Sequence, residues 1–206
     1  MKGYWINHII EVKDAERFTA YAEAAHPLLD GVNKYGAKML MRSPVHETLK
    51  GSPVQAAAVV EFDSVQAAID FWDDTDYAKT RLLMGPLDDE TAVVDRRVCC
   101  IEAETLTAAA GQGFWINHVH EIVDETAFFS YADASMEHFT SAIYGPVVHQ
   151  HAGGQKIQLA AALGLKNLQT ALETYDSASY QAGLEIFGMA ADERTVVNRT
   201  ICAVEA

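Results

Sequence analysis

Five histidines stand where strand geometry could bring them together. His118 and His120 are two residues apart, as are His149 and His151, and His8 falls in a segment whose sequence recurs around His118. In an extended strand residues i and i+2 share a face, so each pair points one way. Imidazole titrates near neutral pH and moves protons unaided, and a cluster of this kind reads as a general acid-base site. Taken singly, each of these histidines also fits a satisfied core or rim position. Arg96 and Arg199 add recurring cations on a later strand. An inward guanidinium there could clamp a substrate carboxylate or phenolate, although a structural ion pair with Glu61, Glu102 or Asp95 serves equally well. No His-Glu-x-x-His or facial-triad spacing is present, so no metal or cofactor is expected. Cys99, Cys100 and Cys202 lie in apolar, strand-like runs and read as buried reduced thiols.

The elements that would position these groups come from a duplication. Gly3-Tyr-Trp-Ile-Asn-His-Ile-Ile-Glu-Val-Lys-Asp14 matches Gly113-Phe-Trp-Ile-Asn-His-Val-His-Glu-Ile-Val-Asp124 at seven of 12 positions. Asp89 to Ala103 matches Asp192 to Ala206 at eight of 15. The spacing between the copies shrinks from 110 to 103 residues along the chain. Much of that loss is expected where Ser43 to Pro53 faces the shorter Ala152 to Lys156. The organisation expected is therefore repeat one over 1–103, a linker of small and polar residues over 104–112, and repeat two over 113–206.

Each repeat reads β-α-β-β-α-β. In repeat one the strands are expected at 3–12, 38–42, 55–62 and 92–102. A helix capped by Asp14 should end near Tyr35-Gly36, and a second should run through Ala67, Ala68, Phe71 and Trp72. In repeat two, aligning Tyr144-Gly145 with Tyr35-Gly36 places the strands at 114–122, 147–151, 157–165 and 195–205. Its helices follow Asp124 and pass through Leu168, Leu172 and Tyr175. Gly153-Gly154 reads as a hairpin and not a phosphate loop, because no helix follows it. The fold class is α+β: two ferredoxin-like βαββαβ repeats packed sheet to sheet as a barrel-like pseudo-dimer, each copy covering the face the other would leave bare.

Strand parity then sorts the first strand. Tyr4, Ile6, His8 and Ile10 share one face, and Trp5, Asn7, Ile9 and Glu11 the other; Phe114, Ile116, His118, His120 and Ile122 oppose Trp115 and Asn117 in the same way. Histidines are costly beneath packed helices, so their face is assigned to a cavity between the sheets. The alternative puts Asn7, Glu11 and the Trp5 ring in the cavity, with Asn117 and Trp115 as their counterparts against the ligand. Tyr21/Tyr131 and Tyr77/Tyr180 also recur and read as core or interface aromatics.

Composition narrows the partners. The 29 acidic and 15 basic residues give a formal charge of -14 without any basic run, which argues against nucleic acid and anionic membrane. No apolar stretch approaches a spanning helix and the N-terminus carries no signal-type apolar segment, so a cytoplasmic protein is expected. A small molecule is the expected partner, and a homodimer of the fused unit is compatible with the sequence.

The residues resemble a known family. Lys2-Gly-Tyr-Trp-Ile6, Asp14 with Tyr21, Tyr35-Gly36, Val60-Glu-Phe-Asp-Ser64, Ala67-Ala68 and Asp76-Tyr77 are similar to the DUF1330 group of the dimeric α+β barrel superfamily. Most members are single repeats that dimerise, so this chain resembles a fused dimer. Repeat two departs from the pattern at Gly145-Pro146 and Gly164-Leu165. The superfamily includes cofactor-free monooxygenases, isomerases, haem-degrading enzymes and acid-base lyases, and the resemblance implies an enzyme without naming its reaction. The leading expectation is a cofactor-independent lyase, decarboxylase or isomerase acting on a small aromatic or polyketide-like acid. His118, helped by His120, His149, His151 or His8, would carry the proton, with Arg96 or Arg199 on the anion. A cofactor-free monooxygenase and a non-catalytic binding protein are the alternatives.

Overall fold

The computed structural model describes residues 1–86, 91–187 and 193–206. Residues 89–90 and 192, where the second recurring segment begins, lie outside the described residues. Two five-stranded antiparallel sheets pack face to face, each with helices on its outer side. The first has the order β2-β4-β1-β5-β8, with β1 Lys2–Val12, β2 Lys38–Pro44, β4 Ala56–Phe62, β5 Val94–Ala103 and β8 His149–Ala152. The second has the order β3-β10-β6-β9-β7, with β3 Glu47–Lys50, β6 Gly113–Ile122, β7 Ser141–Pro146, β9 Leu159–Leu165 and β10 Val197–Glu205. The helices are α1 Ala15–Leu29, α2 Val65–Phe71 and α3 Thr75–Arg81 in repeat one, and α4 Glu125–Ser135, α5 Leu168–Thr174 and α6 Ala178–Leu184 in repeat two.

Period-2 alternation builds three cores from these layers. Tyr4, Ile6, Val59, Cys99 and Ile101 meet Phe114, Ile116, Ala162, Cys202 and Val204 between the sheets. The opposite faces pack beneath the helices, around Trp5, Phe62 and Phe71 in repeat one and around Trp115, Leu165 and Tyr180 in repeat two. The linker is tied to the first of these cores. Leu106 is buried there, its backbone N–H donating to the Tyr4 hydroxyl, which in turn donates to the Glu104 carbonyl.

Two sequence expectations need correcting. The seven missing residues are lost between the first and second strands and not at the later hairpin. Asp14 and Asp124 cap equivalent helices, but α1 runs 15 residues and α4 only 11, and β7 begins at Ser141. Consequently α1 ends at Leu29 instead of Tyr35-Gly36, and the second strand of repeat two is Ser141–Pro146 instead of 147–151. The second correction concerns the short strand next in each repeat. β3 leaves repeat one to pair with β10, and β8 leaves repeat two to pair with β5, with Cys202 opposite Thr48 and Cys100 opposite His149. The halves thus exchange edge strands, which caps one edge of each sheet with the other repeat. The turns after these arms use Gly51 and Gly153 at φ +86° and +108°, a region that favours glycine.

The glycine that opens each repeat is fixed by close approach. A Cβ on Gly3 would lie 2.2 Å from the Ser64 carbonyl oxygen, and one on Gly113 would lie 2.3 Å from that of Asn167. Ser64 and Asn167 are the N-caps of α2 and α5, so the missing side chain lets each helix start against the first strand. Gly113→Ala is expected to destabilise the protein by about 1–3 kcal/mol in urea unfolding, because backbone must move to admit the methyl group. An unchanged midpoint would contradict this packing.

Candidate functional site

The five histidines do not form one cluster. His8 and His118 lie between the sheets, where the first strands of the two repeats cross, with their rings stacked at 3.9 Å. Each reaches into the other repeat: His8 Nε2 is 3.2 Å from the Ile116 carbonyl and His118 Nε2 is 3.3 Å from the Ile6 carbonyl. A carbonyl only accepts, so Nε2 of each imidazole carries a proton. The same nitrogens lie 3.6 Å from Cys202 Sγ and 3.7 Å from Cys99 Sγ. Burial pushes the His8 pKa down to about 3 and holds His118 well below the usual range, with His8, His120 and Arg97 adding repulsion there. Burial raises both thiols. His120 is half-buried further along, with Nε2 3.3 Å from the Thr200 hydroxyl.

His149 and His151 lie elsewhere because β8 is an exchanged strand. They share a face, with ring centres 4.6 Å apart, but that face is the helix side of repeat one's sheet. His151 stacks on Trp72 at 4.4 Å, and its Nε2 lies 3.3 Å from the Ala68 carbonyl. Burial pushes its pKa down to about 3, helped by the neighbouring His149, Arg81 and Arg96 charges. Convergence of all five imidazoles in one barrel interior is therefore corrected: three lie between the sheets and two lie outside them.

The recurring arginines and asparagines meet on the helix side of each half. In repeat two, a cavity of about 100 Å³ opens between α4 and the sheet. Asn117 and Arg199 reach it from β6 and β10, Tyr131 from α4 and Tyr180 from α6, among apolar neighbours such as Phe128 and Leu163. Arg199 Nη1 donates to the Tyr131 hydroxyl at 2.8 Å, and its Nε donates to Glu193, which also pairs with Lys50 at 3.1 Å. The Tyr131 and Tyr180 hydroxyls are hydrogen-bonded to each other. Burial works against the Arg199 charge, but the tyrosines and Glu193 outweigh it, and the guanidinium pKa stays well above normal. Burial raises the Tyr180 hydroxyl, which therefore stays protonated.

Two polar atoms of this group are left over. Among the described residues Arg199 Nη2 and Asn117 Oδ1 are buried without a hydrogen-bond partner. Each such group costs about 1–3 kcal/mol if nothing pairs with it. Asn117 and Arg199 thus line one apolar cavity while each keeps an unsatisfied buried polar atom.

Repeat one repeats the plan with less room. Asn7, Tyr21, Tyr77 and Arg96 line a cavity of about 40 Å³ together with Trp5, His26 and Arg42. Tyr21 and Tyr77 share a hydroxyl hydrogen bond of 2.8 Å, and Arg96 Nη1 donates to Tyr21 at 3.4 Å. The sequence counterpart of Glu193, Glu90, lies outside the described residues. Trp5 lines this smaller cavity, whereas Trp115 packs behind the larger one, with its ring 5.0 Å from that of Tyr180. Both indole N–H groups are engaged, donating at 2.7 Å to the carbonyls of Ala68 and Ala171.

The tyrosine pairs are the residues that sequence reasoning set aside. Their ring spacing matches core packing, yet all four partners of the quartet Asn, Tyr, Tyr and Arg recur in both repeats. That joint recurrence of polar tips was the available signal.

Two βαββαβ units packed sheet to sheet, each with its own helix-side cavity, define a dimeric α+β barrel carried on one chain. Residues 2–94, within the first repeat, match the family described as Domain of unknown function (DUF1330). Solved structures share the whole arrangement at low identity. An anthrone oxidase-like protein superposes with a TM-score of 0.58 at 13% identity, covering 99% of this chain and 90% of its own. A candidate monooxygenase from Fusobacterium nucleatum subsp. nucleatum gives 0.58 at 7%, covering 99% and 91%. A mutant chlorite dismutase from Candidatus Nitrospira defluvii gives 0.51 at 8%, covering 99% and 92%. At these identities the likeness is one of fold. No curated protein matches the sequence. Among the described residues no helix is long and apolar enough to cross a membrane.

Proposed function

We propose that the protein is an oxygenase for a small hydroxylated aromatic or polyketide-like substrate whose reacting ring enters the helix-side cavity of repeat two, a space for about one ring. The observation that carries this reading is the buried pair Arg199 Nη2 and Asn117 Oδ1, both unpartnered among the described residues and both at one apolar cavity. Arg199, held by Tyr131 and Glu193, would stabilise the oxyanion that forms when the substrate loses a proton from carbon. Asn117 would accept from a second substrate hydroxyl. Asp133, exposed on α4, is among the described residues the lining carboxylate that can take the proton.

The carbanion then meets dioxygen. For an anthrone-type methylene, CH2 plus O2 gives C=O plus H2O; the carbon loses four electrons and the dioxygen accepts them. The step balances with substrate and dioxygen alone. Two structural neighbours named as an anthrone oxidase-like protein and a candidate monooxygenase support this choice among reactions that begin with a carbanion. Lyase or isomerase catalysis through His118 finds less support, since no histidine is among the residues lining this cavity.

Dioxygen uptake during incubation with an anthrone tests the proposal. The expected result is one dioxygen consumed per anthrone converted. No conversion of the anthrone, or conversion without dioxygen uptake, would contradict the reading.

A further inference from the structure

Repeat one carries a second cavity that the proposed reaction does not use. It has a volume of about 490 Å³ and lies beside α3 and the turn after it, with Arg96 of β5 reaching it from the sheet. Among the described residues its lining holds the cations Lys79, Arg81 and Arg96 and one carboxylate, Asp73.

The guanidinium groups are fixed in place and incompletely paired. Arg81 Nη2 donates to the Trp72 carbonyl at 2.9 Å, and its Cζ sits 4.3 Å over the Trp72 ring. Asp73 is 3.6 Å away and its side chain is largely exposed, so it neutralises little of this charge. Arg96 is 4% exposed. Among the described residues Arg96 Nε, Arg96 Nη2 and Arg81 Nε are buried without a hydrogen-bond partner. Leaving charged donors unpaired in the interior is costly, and an oxyanion bound at the cavity face of Arg81 and Arg96 would offset their charge.

Repeat two differs at these positions. α3 and α6 occupy equivalent places, and there Lys79 and Arg81 are replaced by Ala182 and Leu184. The scaffold therefore does not require Lys79 and Arg81, which belong to repeat one alone, whereas Arg96 recurs as Arg199.

We propose that Lys79, Arg81 and Arg96 form an oxyanion-binding site specific to repeat one, which takes the carboxylate or phosphate group of a small molecule. A guanidinium presents paired N–H groups that match two oxygens of either anion, and Lys79 at the rim adds a mobile point charge. The site is separate from the repeat-two cavity, so it stands or falls independently of the oxygenase reading.

The test is titration calorimetry of the full chain with inorganic phosphate and, separately, acetate, at constant ionic strength, with tryptophan emission followed in parallel. Saturable binding of at least one anion is expected, with a change in emission because Trp72 touches Arg81. Arg81→Leu and Lys79→Ala, which install the repeat-two residues, are expected to weaken it, the first by about tenfold or more. The tighter anion identifies the group the site takes. Absence of saturable binding to either anion, or an affinity unchanged in Arg81→Leu, would overturn the proposal. If Arg81→Leu does not fold, Lys79→Ala and Arg81→Lys carry the same test, and unchanged affinity in both overturns it equally.

Discussion

Arg199→Met is expected to lower turnover of an anthrone-type substrate by about 100-fold to 1000-fold, the range found when a preorganised oxyanion donor is removed. Methionine fills much of the same volume but offers neither charge nor N–H, so both the hydrogen bond to Tyr131 and the free Nη2 disappear. The substitution also separates Glu193 from one partner, although Lys50 remains 3.1 Å away. Breaking a buried ion pair can cost about 3–5 kcal/mol of stability, and unfolding must be measured beside activity. Arg199→Lys keeps the charge and loses the fork, so it should fold and recover only part of the rate. Full activity in Arg199→Met would remove this arginine from the site.

Acidification should destabilise the fold steeply between pH 6.5 and 5. His8 and His118 are neutral when folded, with His8 pushed to about 3 and His118 well below normal, whereas unfolded imidazoles titrate near 6.5. The groups facing them are Cys99, Cys202, His120 and Arg97, and no carboxylate among these would stabilise a proton there. Above pH 6.5 both states are neutral and stability is complete. As pH falls toward the folded values, the unfolded chain takes up protons that the folded one refuses. Each imidazole then costs about 1.4 kcal/mol per pH unit, or about 4 kcal/mol for the pair by pH 5. Urea unfolding at pH 7.5 and 5.0 measures this. His8→Gln/His118→Gln should flatten the dependence by that amount while keeping an amide N–H for the carbonyls of Ile116 and Ile6. A wild-type midpoint that does not move would mean these imidazoles are not neutral partners in the folded core.

These two expectations separate roles that the sequence runs together. Gly3-Tyr-Trp-Ile-Asn-His8 and its copy reveal the duplication, because two close approaches, at Ser64 and Asn167, each demand the same glycine. Strand parity was equally legible: Tyr4, Ile6 and His8 on one face against Trp5, Asn7 and Ile9 on the other is the pattern a period of two dictates. Which face holds the ligand was not. A histidine reads as chemistry and a tyrosine on a helix reads as core, yet His8 and His118 tie the sheets together while Tyr131 and Tyr180 line a cavity.

The placement of His149 and His151 failed for a different reason. The shorter α4 shifts the second strand of repeat two toward the N-terminus, so an alignment on Tyr144-Gly145 lands inside β7. The exchange of β3 and β8 is a long-range pairing choice, which local pattern does not encode. Once β8 joins repeat one's sheet, His151 must face Trp72 and no longer shares a space with His118.

The ligand site itself can be read from the three tryptophans, Trp5, Trp72 and Trp115. Trp115 packs against Tyr180 and Phe139 behind the repeat-two cavity, while Trp5 and Trp72 lie in repeat one. Fluorine NMR of protein labelled with fluorotryptophan, titrated with anthrone under nitrogen, is the most direct measurement of where substrate sits. A saturable shift of the Trp115 resonance, with those of Trp5 and Trp72 unmoved, is the expected result. Shifts confined to Trp5 and Trp72, or no saturable shift at all, would contradict a substrate site in repeat two.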